Sequence, residues 1–308
     1  MRKIRNSKLC KSYFTIKLLI LTFLISNQIY SQNALEKHFE QIADTIKGSI
    51  GISALNIETG ESISFNGENK FPIQCVYKFP IAMVMLHEND AGNFSLKDTI
   101  VINKNEYISN ADHSPIRDKY PNGTKLTITD ILEYNISQSN GTACDVLLRL
   151  LGGTEQFEKS VHRLGVKNIA ITTTEKVQVT HDTIQYQNWS TPKAMNTLLY
   201  IFYKTDYLSK DSRDLLLKFM AVSNKWYDRR IKQLLPTETE LAHKTGTART
   251  YNGFTRATND VGIITLLDGI HLAVSVFISD SYDSQVKRKM TIARVAKEAY
   301  DFWATKKK

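Results

Sequence analysis

An α+β fold is what the sequence predicts: a sheet domain with flanking helices, built from both ends of the chain, with an all-α lobe inserted between them. Apolar and polar residues alternate near the start, helical stretches dominate the middle, and alternation returns after Pro236. Residues 48–58 and 61–66 alternate on either side of Thr59-Gly60, which predicts a β-hairpin. Residues 75–89 are apolar on nearly every side, as in a buried helix. Pro80 comes early enough in that run to be tolerated. Helical stretches follow at 129–134, 144–151, 154–164, 191–203 and 210–220, broken by Pro121-Asn122-Gly123 and Gly152-Gly153. Strands are expected at 240–245, 261–267 and 271–278, with Asp268-Gly269 turning between the last two. A helix over 284–303 closes the chain. The expected division is 32–92 with 236–308 for the sheet domain and 93–235 for the lobe.

The 308 residues carry 40 Lys and Arg against 31 Asp and Glu, a formal charge of +9. Residues 1–31 hold six of the basic residues and no acid, and Lys306, Lys307 and Lys308 account for what remains. The body between is neutral, with no basic stripe and no interleaved aromatics, so nucleic acid is not an expected partner. Residues 1–31 read as a signal peptide: a basic start, the apolar run 18–25, then polar residues and the small Ser31. The run is well short of the ~20 residues that span a bilayer. The expectation is a chain exported to the periplasm or medium, free of the membrane after cleavage near Gln32, and monomeric. Such a chain keeps Cys75 and Cys144, and neither spacing nor motif argues for a bridge between them.

The sequence has no HExxH, paired CxxC, GxxxxGK[ST] or GxGxxG after a strand, so no metal and no cofactor is expected. Four segments could carry chemistry. Cys75 and Lys78, three apart at the start of a helix, can touch, and the cation and the helix's positive end would both lower the thiol's pKa. On its own the pair also reads as a small buried thiol with Lys78 snorkelling outward. On a strand, Lys244-Thr245-Gly246-Thr247 could bind a carboxylate, with Gly246 letting a substrate approach; it could equally be an edge strand blunted by lysine. Ser139-Asn140-Gly141 alone is ordinary turn chemistry, and Glu175-Lys176 alone is a solvated loop pair.

Together, in this order and spacing, these segments resemble the penicillin-recognising serine enzymes, most closely the class A β-lactamases. The resemblance extends through Phe71 to Gln74, Ala143-Cys144-Asp145, Gly152-Gly153, Gln185-Tyr186-Gln187-Asn188-Trp189 and Ala257 to Gly262. The Gln185 run and Ala242 to Thr247 look like the extended-spectrum cephalosporinase branch. The resemblance implies the β-lactamase/D,D-peptidase-like fold with an antiparallel sheet, a small-molecule β-lactam as partner, and antibiotic resistance as the role. Position 75 would attack the lactam carbonyl, with Lys78 and Glu175 managing the proton. The N–H groups of residues 75 and 247 would form the oxyanion hole, and Ser139 would protonate the lactam nitrogen. Lys244, Thr245, Gly246 and Thr247, with Arg230, Asn140 and Gln178, complete the implied substrate-binding set. Glu175 would activate the hydrolytic water.

Three positions depart from the family pattern. The nucleophile is Cys75 where the family has Ser, so a thioester replaces an ester. The Ser-Asp-Asn motif is Ser139-Asn140-Gly141: the bracing Asp becomes Asn140, and the last Asn side chain is missing. Val179 stands where Asn or His commonly holds the water, unless Gln178 substitutes. All three changes fall on chemistry. They predict a weakened β-lactamase, or a non-hydrolytic penicillin-binding protein or sensor; a D,D-peptidase is disfavoured because Glu175 and its loop are class A features.

Overall fold

In the computed structural model the described residues are 33–110, 112–222 and 230–306. The expected signal peptide lies outside them. Five antiparallel strands form the main sheet: β1 (Ser49–Asn56), β2 (Ser62–Phe65), β3 (Glu240–Thr247), β4 (Phe254–Thr265) and β5 (His271–Ser281), in the order β2-β1-β5-β4-β3. A short strand, Thr250–Tyr251, adds to the start of β4. Because side chains alternate along a strand, each strand feeds two cores. On one face Ile50, Ile52 and Ala54 of β1 and Val274, Val276 and Ile278 of β5 pack against helix α1 (33–43) and the last helix. On the other face Ala273 and Phe277 join the core of the helical lobe, where Ser53 and Ser275 bond the amide of Asn196 at 2.9 and 2.7 Å.

The helical core is built on α2 (Lys78–Asp90), which the expected division gave to the sheet domain but which packs with the helices of 93–235; its residues 78–86 are all buried, as its unbroken apolar sequence predicts. Pro80 falls in its first turn, where a missing N–H costs no helical bond. Around it stand α3 (Ile128–Ile136), α4 (Gly141–Leu150), α5 (Thr154–Arg163), α6 (Pro192–Lys204) and α7 (Lys210–Val222). Each expected helix is present. The caps are local: Thr127, Asn140 and Thr191 accept backbone N–H bonds at the starts of α3, α4 and α6. Helix α8 (Gln285–Thr305), capped by Ser284, closes the chain.

Two details differ from the sequence expectation. The middle of the chain is not wholly helical: Thr99–Ile102 and Thr124–Thr127 pair as a ribbon, where β-branched residues favour extension. Strand β4 begins at Phe254, seven residues earlier than expected, because Thr255, Thr258, Asn259 and Asp260 are polar yet buried. Pairing with β3 and β5 satisfies their backbone, and side chains such as Arg288 and His243 meet their polar groups.

Candidate active site

The segment before α2 fixes the Cys75 thiol. Gln74–Tyr77 is a single 3₁₀ turn leading into α2, and Gln74 sits at φ +48°, the left-handed region. Cys75 is thereby presented at the floor of a cleft of about 380 Å³ between the lobe and the edge strand β3. Lys78, the first residue of α2, is fully buried, and its Nζ donates to Glu175 Oε1. Glu175, expected on a long loop, opens the short helix Glu175–Gln178 and is itself buried, while Lys176 beside it faces out. Asp145 of α4 holds that helix in place: its two carboxylate oxygens accept the N–H groups of Glu175 and Lys176 at 2.7 and 2.9 Å. Burial raises the Asp145 carboxyl to about 7, against the lowering pull of the Lys176 N–H and the Lys78 charge.

Opposite, Ser139 sits at φ +52° and its Oγ accepts from Lys244 Nζ at 2.9 Å. Lys244 lies on an edge strand but is buried, so it is a site cation and not a solvent-facing guard. Burial lowers its ammonium to about 8, partly offset by the thiol of Cys75. Burial alone would push the Cys75 thiol up; the charges of Lys78 and Lys244 and the Ser139 hydroxyl outweigh it and bring the thiol down to about 7. Cys144, fully buried in α4, is pushed well up by burial, and the two cysteines among the described residues are free thiols.

Strand β3 passes close to this turn. A Cβ on Gly246 would lie 2.7 Å from the Ile73 carbonyl oxygen and 3.1 Å from the Cys75 nitrogen, so glycine is required by the protein's own backbone before any substrate arrives. The Ala248 N–H bonds back to Ala257 on β4 at 2.9 Å. Successive N–H groups of a strand alternate sides, so that of Thr247 faces away from β4, along the edge where Cys75 lies.

Of the residues expected from the sequence, Cys75, Ser139, Glu175, Gln178 and Thr247 line the cleft. Lys78 and Lys244 stand behind it and touch its lining. Thr245 is half-buried on β3, its carbonyl accepting from Lys244 Nζ at 3.1 Å. Two residues expected to contact substrate are engaged within the protein. Asn140 is fully buried and points into the fold, where its Oδ1 accepts the Ala143 N–H at 2.9 Å as the cap of α4. Arg230 is likewise buried: it donates to the carbonyls of Gly246 and Asn259 and, at 2.5 Å, to Thr247 Oγ1, bracing β3 from behind. Gln178 faces the cleft, but its amide is already engaged, donating to Gln74 at 2.9 Å and accepting from Asn188 at 3.0 Å. The missing side chain at Gly141 has a structural counterpart in Ile108, whose Cδ1 would lie 2.6 Å from a Cβ there.

Sequence reasoning named Gln178 but missed Asp145 and the amides of Gln74, Gln185 and Asn188 that join it in a buried chain at the site. Those four lie in stretches that carry the family resemblance, but only the fold brings the amides together with that of Gln178.

The model of the β-lactamase enzyme family matches residues 34–303. The chain belongs to that family. It is 37% identical over 294 residues to "Beta-lactamase VEB-1" of Pseudomonas aeruginosa, covering 94% of this chain and 98% of that protein. It is 34% identical over 294 residues to "Extended-spectrum beta-lactamase PER-1" of the same organism, covering 95% of each. Among solved structures, TLA-1 extended-spectrum β-lactamase superposes with a TM-score of 0.86 at 38% identity, covering 89% of this chain and all of that one. A β-lactamase from Chitinophaga pinensis DSM 2588 gives 0.84 at 40% identity, covering 87% and 98%. The fold is that of the class A β-lactamases, and the chain is a class A-like hydrolase. Among the described residues no helix is long and apolar enough to cross a membrane.

Proposed function

We propose that this chain hydrolyses β-lactams, cephalosporins included, through a thioester on Cys75. The observation that carries the reading is the convergence of the Cys75 thiol, its two flanking lysines and the buried Glu175 on one cleft. The Cys75 thiolate attacks the lactam carbonyl. The oxyanion is received by the N–H groups of residues 75 and 247, donors typically worth about 3 kcal/mol each. On collapse the carbon–nitrogen bond breaks, and the nitrogen takes a proton from Ser139 Oγ, which Lys244 polarises. Glu175 then removes a proton from water as it attacks the thioester, the thiolate leaves, and the proton taken from water makes good, by way of solvent, the one Ser139 gave to the nitrogen. Lys78 holds the Glu175 carboxylate at the reacting face. Thr247, braced by Arg230, and Lys244 form the positive edge that receives the substrate carboxylate.

A thiolate needs little help to attack, which suits a site where the thiol is lowered to about 7. Release is the harder step, because sulfur displaces the acyl carbonyl from donors set for an oxygen ester. Val179 lines the cleft without a polar atom to hold a water, and the Gln178 amide is committed elsewhere. That favours a second reading, a penicillin-binding sensor that acylates and stays acylated. In either case residues 1–31 would export the chain to the periplasm or medium. Intact mass spectrometry during cephalosporin hydrolysis separates the readings. A Cys75 adduct that appears and clears with turnover supports the hydrolase, and a permanent adduct supports the sensor.

A further inference from the structure

We propose that Arg256 is a positioning residue for this site, an external latch on the loop that carries Glu175, and that it sets which acyl groups the site accepts and releases; the proposal rests on the β-lactamase reading above. The loop's two carboxylates both pair with cations outside the loop, Glu175 with the buried Lys78 and Asp182 with Arg256 of β4. The Arg256 guanidinium also donates to the Tyr186 hydroxyl at 3.2 Å and lies 5.5 Å from that ring's centre. Tyr186 in turn donates to Asp280 of β5, a residue held at φ +54°. The loop is thus fastened to two strands of the sheet by one arginine and one tyrosine.

The latch leads inward by hydrogen bonds. Asp182 Oδ1 accepts from Gln185 Nε2 at 2.8 Å, Gln185 Oε1 accepts from Gln74, and Gln74 Oε1 accepts from Gln178 at 2.9 Å. Gln74 adjoins the nucleophile, and all four of these residues line the cleft. Releasing Asp182 from Arg256 leaves an unpaired carboxylate at the cleft wall and loosens the amides beside Cys75 and Glu175. The Arg256 and Asp182 side chains are 23% and 32% exposed, so the pair adds little to global stability. Its effect belongs to geometry, and a small misplacement of a catalytic group is costly.

The test compares wild type, Arg256→Gln, Arg256→Lys and the reversed pair Asp182→Arg with Arg256→Asp. Adduct formation and clearance are followed by intact mass with benzylpenicillin and with the bulkier cefotaxime. Arg256→Gln is expected to clear the benzylpenicillin adduct about tenfold more slowly. It should also accept cefotaxime relatively faster, with its melting temperature nearly unchanged. Arg256→Lys and the reversed pair should each restore part of the loss. Amide hydrogen exchange across 175–188 should rise in Arg256→Gln alone among the single variants. Exchange and adduct kinetics in Arg256→Gln equal to wild type would overturn the latch. A wild-type chain that forms no adduct would overturn the enzymatic reading alone, because exchange still decides whether Arg256 holds the loop.

Discussion

Sulfur at position 75 changes the proton traffic that an oxygen nucleophile would require. With its pKa near 7, the thiol is already largely ionised in mildly alkaline solution, so in the proposed mechanism attack would depend on thiolate and not on a base. The rate of adduct formation should therefore rise as pH passes through about 7. It should decline above about 8, as Lys244 loses the proton that polarises Ser139 and attracts the substrate. Stopped acylation followed by mass checks both limbs; a flat profile from pH 6 to 9 would count against the thiolate. Cys75→Ala should abolish labelling. Cys75→Ser should raise steady-state cephalosporin turnover, by about 100-fold if sulfur's displacement of the carbonyl is what limits release. No gain would assign the limit to Gly141 or Val179. At this scale much was legible in the sequence: Cys75, Lys78, Ser139, Glu175 and Thr247 come together at one cleft, as the family resemblance implied. The burial of Asn140 and Arg230 was not legible because sequence does not show which way a polar side chain turns, and both turn inward. The amides of Gln74, Gln185 and Asn188, and their joining to Gln178, were not legible because neutral amides far apart in the chain carry no pattern of their own.

Among the elements, the join between α4 and the Glu175 helix decides whether the carboxylate stays in place. Asp145 makes that join by accepting two backbone N–H groups. Asp145→Ala should slow adduct clearance more than adduct formation, since Glu175 serves release; equal loss in both would mean a general collapse of the cleft. The same carboxyl should also leave a mark on stability. Burial raises it to about 7, whereas it titrates near 3.8 when free. Between those values the folded chain holds a proton that the unfolded chain has lost, so this group's contribution to stability falls as pH rises through the interval. Comparing urea unfolding of wild type and Asp145→Asn from pH 5 to 8, the wild type should lose ground to the variant; a constant difference would contradict the shift. Helix positions were readable because caps and apolar periods are local, as at Thr127, Thr191 and Ser284. The early start of β4 was not, because Thr258, Asn259 and Asp260 are buried by strand neighbours that the sequence places elsewhere.

Across the whole molecule, the two ends of the chain make one layer behind the sheet. Helix α1 and helix α8 share a core with β1 and β5, and Trp303, 1% exposed, donates its Nε1 to Glu61 beside β2 at 2.8 Å. Trp303→Ala should cost about 3–5 kcal/mol in urea unfolding, because it removes a large buried ring from that layer. The cleft lies on the other side of the sheet, so adduct formation by the folded fraction should persist. Strands at both ends of the sequence made this closure legible, while the exact partner of Trp303 depended on the folded register. Everything here converges on the thiol that the two lysines and Ser139 surround. The most direct measurement is intact-protein mass spectrometry on the chain from Gln32, mixed with a cephalosporin at neutral pH and followed alongside its hydrolysis. An adduct mapped to Cys75 that forms and clears as substrate disappears is the expected result; hydrolysis without any adduct on Cys75 would contradict it.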